Sequence, residues 1–360
     1  MSRSRVLIVD DSALVRQILR EILSSDSALE VVGAASDPFH AWSIIQTANP
    51  DVVTLDVEMP RMDGLEFLER LMRAHPMPVV MVSSLTERGC ETTFKALELG
   101  AVDYVTKPTV DIGRGVEALA REIVEKVKMA ARARPRRPRR ESATRSPMPL
   151  AATPVGSVNR GALARSTEIV MALGASTGGT EAIREVLTAM PADAPGMVIV
   201  QHMPENFTRL FAERLDKMCA IRVREATDGE RVIPGIALLA PGGATHMQLQ
   251  RCGGQYVVRL VSTPPRHHHR PSVDVLFESC ADQAGRNAVG AIMTGMGDDG
   301  ARGLLAMRSA GAHTVAEHES TCVVYGMPRA AVEMAAAEVV QPLHAIAETL
   351  LRFAAAHGSG

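Results

Sequence analysis

The segment from Ile169 to Gly179, IVMALGASTGG, joins an apolar run to a turn of small residues with a serine at its apex. Gly174-Ala175-Ser176-Thr177-Gly178 fits the Gly-x-Ser-x-Gly elbow, in which small neighbours let a strained turn hold a serine hydroxyl clear of the backbone. A serine held there is a nucleophile if a base and an orienting acid stand nearby. The next apolar run, GMVIVQ, ends at His202, and a later one, AVGAIMT, ends in Gly295-Met296-Gly297-Asp298-Asp299-Gly300. Serine, histidine and aspartate thus follow three strand-like runs. The chemistry they fit is acyl transfer: Ser176 attacks an acyl carbon, His202 takes and returns its proton, and an aspartate sets the imidazole tautomer. Backbone N–H groups of the glycine-rich turns offer an oxyanion hole. Asp298 and Asp299 are equivalent candidates at this level, and either could instead cap the helix that starts near Ala301. The order Ser…His…Asp differs from the Ser…Asp…His of α/β-hydrolases. The run His267-His268-His269 is not read as a metal site, because adjacent histidines in a Pro/Arg-rich loop rarely point one way.

A second constellation lies in the first third of the chain. Five strand-like runs end successively at Asp10-Asp11, after GA at Ala34, at Asp56, at Ser83-Ser84 and at Lys107. With a flavodoxin-like order 2-1-3-4-5, the first and third strands meet at the switch point, flanked by the fourth and fifth. Three carboxylates, a hydroxyl and a lysine then converge. Clustered carboxylates repel, and Mg²⁺ suits them because it takes a few carboxylates and keeps waters free for a phosphate. The lysine neutralises a phosphoryl oxygen and the serine hydrogen-bonds one.

The elements that must position these groups follow from the hydropathy pattern. Residues 1–128 alternate strand and helix, with Leu14, Ile18 and Ile22 spaced by four in the first helix, and GVEALAREIVEKVKMA closing the domain as an amphipathic helix. Five β-α units imply a parallel, doubly wound sheet. Residues 166–355 repeat that logic with strands at EIVMAL, GMVIVQ, IALLA, AVGAIMT and HTVAE, and with QYVVRLV expected as a hairpin strand beside IALLA and MQLQ. The fold class is therefore α/β twice over, the second domain carrying some antiparallel strands. Between them, residues 129–165 form a linker. From 131 to 165 the chain holds nine arginines, five prolines and one acid, Glu141, and no periodicity survives. Proline fixes φ and biases its predecessor away from helix, so RARPRRPRR is expected to be extended.

Composition narrows the class. The chain has 360 residues with 46% hydrophobic but only 3% aromatic content, so its cores rest on aliphatic side chains and methionine. A net charge of −2 argues against a nucleic-acid binder. Five dispersed cysteines without a C-x-x-C pair read as reduced thiols in a cytoplasmic protein. No secretory leader and no membrane span is expected.

With these residues in view, the N-terminal domain resembles a response-regulator receiver through VDDSALVRQIL, TLDVEMPRMDGLEFL, VVMVSS and VTKP. The resemblance implies that Asp56 accepts a phosphoryl group, that Mg²⁺ binds at Asp11 and Asp56 with Asp10 shaping the pocket, and that Ser83 and Lys107 sense the phosphoryl group. The whole chain outside the linker resembles the chemotaxis response-regulator protein-glutamate methylesterases, the CheB family, through GASTGGTEAIR, QHMPENFT, DGERVIPG, RPSVDVLF, TGMGDDGA and YGMPRAA. That resemblance places the triad on Ser176, His202 and Asp299, with Asp298 in a variable position, and makes the Met296 N–H an oxyanion donor. It implies a phosphorylation-activated esterase and glutaminase without a cofactor in its catalytic domain. Its substrates would be methyl-accepting chemoreceptors and its phosphodonor a chemotaxis histidine kinase. Two other functions compete. A DNA-binding regulator is motivated by the arginine run but lacks a helix-turn-helix signal. A nucleotide-binding output domain lacks the Gly-Lys-Ser/Thr of a P-loop.

Overall fold

The computed structural model describes residues 3–59, 63–84, 86–108, 116–133 and 169–356. Most of the arginine-rich linker therefore lies outside the described residues.

The N-terminal domain runs β1 (Ser4–Val9), α1 (Ala13–Ser24), β2 (Leu29–Ala35), α2 (Pro38–Ala48), β3 (Val52–Asp56), α3 (Gly64–Ala74), β4 (Val79–Ser83), α4 (Glu87–Glu98), β5 (Asp103–Thr106) and α5 (Val116–Ala130). The strands form one parallel sheet in the order β2-β1-β3-β4-β5, as the alternation predicts. Strands β3 and β4 are buried along their whole length because helices cover both faces, which is why they read as continuous apolar runs. The helices start where side chains satisfy their first amides: Ser12, Asp37, Asp63 and Thr86 each accept a hydrogen bond from the first turn.

The C-terminal domain begins with β6 (Val170–Ala175), α6 (Gly179–Thr188), β7 (Gly196–Gln201), α7 (Phe207–Asp216), β8 (Arg222–Glu225), β9 (Arg231–Val232) and β10 (Ile236–Leu239). It continues with β11 (His246–Cys252), β12 (Gln255–Val261), α8 (Val273–Ala284), β13 (Ala288–Ile292), α9 (Ala301–Ser309), β14 (His313–Glu317), α10 (Met327–Glu333), β15 (Val339–Gln341) and α11 (Leu343–Ala356). Seven strands form a parallel sheet in the order β15-β14-β13-β6-β7-β10-β8. The hairpin expectation is half right. Strand β12 pairs antiparallel with β11, but its other neighbour is β9, not β10, and the three make a separate small sheet. The reason is burial: β10 is needed inside the large sheet, between β7 and β8, where Ala237, Leu238 and Leu239 are fully covered.

The two domains share packed side chains. Tyr104 at the end of the first sheet stacks on Phe207 with ring centroids 4.6 Å apart, and Phe94 stacks on Phe211 at 5.5 Å. Phe207 is fully buried. Around these rings, Arg214 pairs with Glu98, and the Thr177 hydroxyl donates to the Asp103 carboxylate. The face formed by α4 and β5 thus sits against α6 and α7, one residue from Ser176.

Candidate active site

Strand register decides which loops meet. Ala175 is paired with Gln201 across β6 and β7, so Ser176 and His202 are the next residues on adjacent strand tips. Strand β13 flanks β6 on the other side, and the Ser176 N–H donates to the Thr294 carbonyl at 3.0 Å. All three loops of interest leave one carboxyl edge, where doubly wound sheets carry their sites. The turn after Ser176 demands glycine. Gly178 has φ +76°, a left-handed conformation, and a Cβ there would lie 2.7 Å from Val323. A Cβ at Gly295 would lie 2.8 Å from that of Ser176, so the β13 loop can approach the serine only without a side chain.

His202 Nε2 lies 2.8 Å from Asp299 Oδ2. Asp299 is 1% exposed. Oδ2 also accepts from the Val273 N–H at 2.7 Å, and Oδ1 accepts from the Ser272 hydroxyl at 2.8 Å and the Asp274 N–H at 3.1 Å. Burial pushes the Asp299 pKa up, but the His202 hydrogen bond and charge, with Ser272 and Val273, outweigh it and hold the carboxyl well below the usual range. An ionised Asp299 requires Nε2 of His202 to be the protonated nitrogen. That leaves Nδ1 as the acceptor, and it is buried with no hydrogen-bond partner among the described residues. Ser176 itself is 8% exposed. The Met296 backbone lies in the turn between Gly295 and Gly297, the latter with φ +77°.

The ambiguity between Asp298 and Asp299 disappears in three dimensions. The Asp298 side chain is 61% exposed and lies 3.2 Å from the His267 ring. Nor does Asp299 cap the helix it precedes. It caps α8, across 26 residues of chain, while Asp274 in the first turn of α8 caps α9 by accepting from the Gly300 and Gly303 N–H groups at 3.0 and 2.7 Å. This reciprocal capping locks the two helix starts together and pins the carboxylate that faces His202. Two contributors escaped the sequence reading. The Gln201 amide donates to the carbonyls of Ser176 (2.9 Å) and His202 (3.2 Å), tying the two strand tips together. His269 stacks on His202. The three adjacent histidines do point different ways: His267 to Asp274 and Asp298, His268 outward, His269 onto His202.

In the N-terminal domain the expected groups also meet. Oxygens of Asp10, Asp11 and Asp56 lie within 4.8 Å of one another. Asp10 and Asp56 are buried and Asp11 is exposed. Lys107 Nζ is 2.7 Å from Asp56 Oδ2 and 3.3 Å from Asp10 Oδ2. Burial, aided by the Asp10 charge and opposed by Lys107, raises the Asp56 pKa to about 6. Asp10 is raised as well, first by burial. Asp10 Oδ2 makes no properly oriented hydrogen bond, so the cradle holds more negative charge than its one lysine answers. A divalent cation fits that donor set. Ser83 is buried at the tip of β4, with its hydroxyl turned towards the Gly89 carbonyl (3.2 Å) and the Thr93 hydroxyl (2.8 Å).

A proton on Asp56 competes with a cation, which gives the sign of a pH effect. Mg²⁺ affinity is expected to fall about tenfold per pH unit below about 6 and to level off above it. Calorimetric titration at several pH values measures this; an affinity that does not change between about pH 5 and about pH 7 would contradict it.

Comparison with known proteins agrees with both halves. The family described as CheB methylesterase matches residues 171–350, and that described as response regulator receiver domain matches residues 6–120. A Bordetella avium protein-glutamate methylesterase/protein-glutamine glutaminase is 56% identical over 358 residues, covering 99% of both chains. A Xanthomonas euvesicatoria protein of the same description is 57% identical over 352 residues, 98% of this chain and 97% of that one. The crystal structure of the Thermotoga maritima CheB methylesterase catalytic domain is 35% identical, with a TM-score of 0.50, and covers 51% of this chain and 97% of that one.

Proposed function

The chain belongs to the CheB methylesterase family, and from that footing we propose that it is a phosphorylation-activated protein-glutamate methylesterase and protein-glutamine glutaminase acting on chemoreceptors in the cytoplasm. The observation that carries the reading is the Asp299–His202 pair at 2.8 Å beside the Ser176 elbow.

In this reading His202 Nδ1 takes the Ser176 proton as Oγ bonds to the glutamyl ester carbon. The carbonyl oxygen becomes an oxyanion, which the Met296 N–H stabilises. Collapse breaks the bond to the methoxy oxygen, which leaves with the proton from Nδ1 as methanol. Water, deprotonated by Nδ1, then attacks the acyl-serine, and Nδ1 returns that proton to Ser176 Oγ as the glutamic acid departs and gives its own proton to solvent. With a glutamine substrate the leaving group is ammonia. Asp299 stays ionised throughout and balances the imidazolium.

The chain divides in this reading into a receiver (1–128), a linker (129–165) and the methylesterase domain (166–355). Asp56 accepts the phosphoryl group from a histidine kinase, Lys107 meets its oxygens, and Ser83 turns towards it. Asp11 and Asp56 would hold Mg²⁺, with Asp10 behind them, and the ion would neutralise charge during phosphoryl transfer. The unphosphorylated receiver covers the catalytic edge through Tyr104, Asp103 and Glu98. Phosphate adds about two negative charges and shifts that contact.

The testing experiment measures methanol release from a methylated chemoreceptor fragment with and without Mg²⁺ and a small phosphodonor. A sharp rise with phosphodonor is expected. No release under either condition would remove the enzyme reading, and release indifferent to phosphodonor would remove the switch. A second outcome tests the covering face. Glu98→Arg sets two arginines against each other in an ion pair that is only about one-third exposed. Basal release should rise about fivefold, and adding Arg214→Glu should reverse it. Unchanged basal release in Glu98→Arg counts against this face as the brake.

A further inference from the structure

The His202 ring is held at one edge only by polar contacts: Nε2 is on Asp299, and Nδ1 has no partner among the described residues. A single hydrogen bond leaves an imidazole free to pivot about it. The second restraint is a ring face. His269 lies parallel to His202, with centroids 3.8 Å apart and planes 13° from parallel.

The loop that carries His269 is built to hold that ring in place. Arg266 and His269 exchange both backbone hydrogen bonds, at 3.0 and 2.8 Å, around a two-residue turn. The turn residues His267 and His268 have φ of +49° and +65°. Such turns ordinarily use Asn-Gly or Gly-Gly, because two left-handed residues are costly for side chains with a Cβ. The strain is held by anchors on either side. The Arg266 guanidinium grips Glu278, His267 Nε2 is 3.1 Å from Asp274, and Arg270 Nε donates to the Gly243 carbonyl at 2.6 Å. His246 accepts from the Ser272 N–H at 3.1 Å, closing the loop on the far side. The same loop leads directly into Ser272 and Val273, both donors to Asp299. One segment therefore positions the carboxylate and the stacked ring.

We propose that His269 is a positioning residue for His202: its ring face fixes the plane of the His202 imidazole, so that Nε2 stays on Asp299 and Nδ1 stays presented to the Ser176 hydroxyl. The proposal rests on the reading of Ser176, His202 and Asp299 as the reacting set. The groups around the stacked pair are Asp299, His268 and, from the N-terminal domain, Lys126. Burial, then the facing His202, holds His269 well below the ordinary imidazole range, so it is neutral. A neutral ring presents a negative π face. When His202 becomes imidazolium during turnover, that face attracts the new charge, whereas a second imidazolium would repel it.

The test compares His269→Leu, which fills space without a ring, with His269→Phe, which restores the ring without a titratable group. Both are made in the full-length chain and assayed with phosphodonor. His269→Leu should lower kcat about tenfold with little change in KM, and His269→Phe should recover most of that loss. A parallel readout needs no substrate: long-range proton–nitrogen NMR of the His202 ring. Wild type and His269→Phe should show one tautomer, protonated at Nε2, and His269→Leu a mixture or broadened signals. If His269→Leu keeps both kcat and the single tautomer, the ring face is unnecessary and the proposal is wrong. If wild type does not hydrolyse receptor esters, the esterase reading falls, and the NMR comparison alone still decides whether His269 orders His202.

Discussion

Ser176→Ala should lower methanol release from a methylated receptor by about 10⁴-fold or more, while leaving the thermal unfolding midpoint within about 2 °C of wild type. The two halves of this expectation come from different observations. If Ser176 is the nucleophile as proposed, loss of the hydroxyl removes the atom that would bond to the acyl carbon. The backbone of Ser176, by contrast, holds the strand tip together among the described residues. Its N–H donates to Thr294, and its carbonyl accepts from Gln201 and from the Gly179 N–H. Alanine keeps all three. The residue is 8% exposed, so removing one oxygen leaves no large cavity. Retention of near-normal turnover by Ser176→Ala in the phosphodonor-stimulated assay would end the nucleophile assignment.

Asp299→Asn should cost about 10³–10⁴-fold in turnover and, unlike the serine variant, should also destabilise the C-terminal domain by about 1–3 kcal/mol. The carboxylate accepts four hydrogen bonds, two on each oxygen. An asparagine supplies one acceptor oxygen and sets an NH₂ group against donors on the other side. If the oxygen stays on Val273 and His202, the helix start at Ser272 and Asp274 loses its partner. If the amide flips, His202 Nε2 faces a donor and adopts the wrong tautomer. Asp298→Asn is the control, since that side chain is largely exposed and faces His267 rather than His202. Turnover and urea unfolding of the two variants separate the positions. Equal effects at 298 and 299, or an Asp299→Asn enzyme with normal turnover, would contradict the assignment.

Much of this is written in the chain. Each acidic-pocket residue follows a strand-like run, and parallel strands in a doubly wound sheet deliver their last residues to one edge. Knowing that Asp10, Asp56 and Lys107 stand at strand ends was enough to predict that they meet, and Lys107 Nζ lies 3.3 Å from Asp10 and 2.7 Å from Asp56. The same argument put Ser176 and His202 at strand ends on one edge, and the pairing of β6 with β7 makes them neighbours there. The hairpin QYVVRLV was legible as a strand, but its second partner was not. Two-residue β9 carries too little pattern to be seen, and the choice between β9 and β10 depends on which strand the larger sheet buries.

What the residue order determined by itself is local: where strands stop, where glycine must turn the chain, and which reactive side chains stand at those stops. Periodicity is a short-range property, and it survives in the sequence because each strand and helix must hide one face. What only the tertiary structure decided is long-range and directional. Asp299, and not Asp298, reaches His202 because α8 supplies amides to its carboxylate from 26 residues away. The strained turn at His267 and His268 lays the His269 ring on that histidine. Tyr104 stacks on Phe207 across 103 positions of chain, the arithmetic difference of their numbers, and sets one domain against the other. Hydrogen bonds and ring stacking need angles and distances that no spacing rule encodes. They are fixed only when the packed sheets, helix starts and loops hold their donors and ring faces in place.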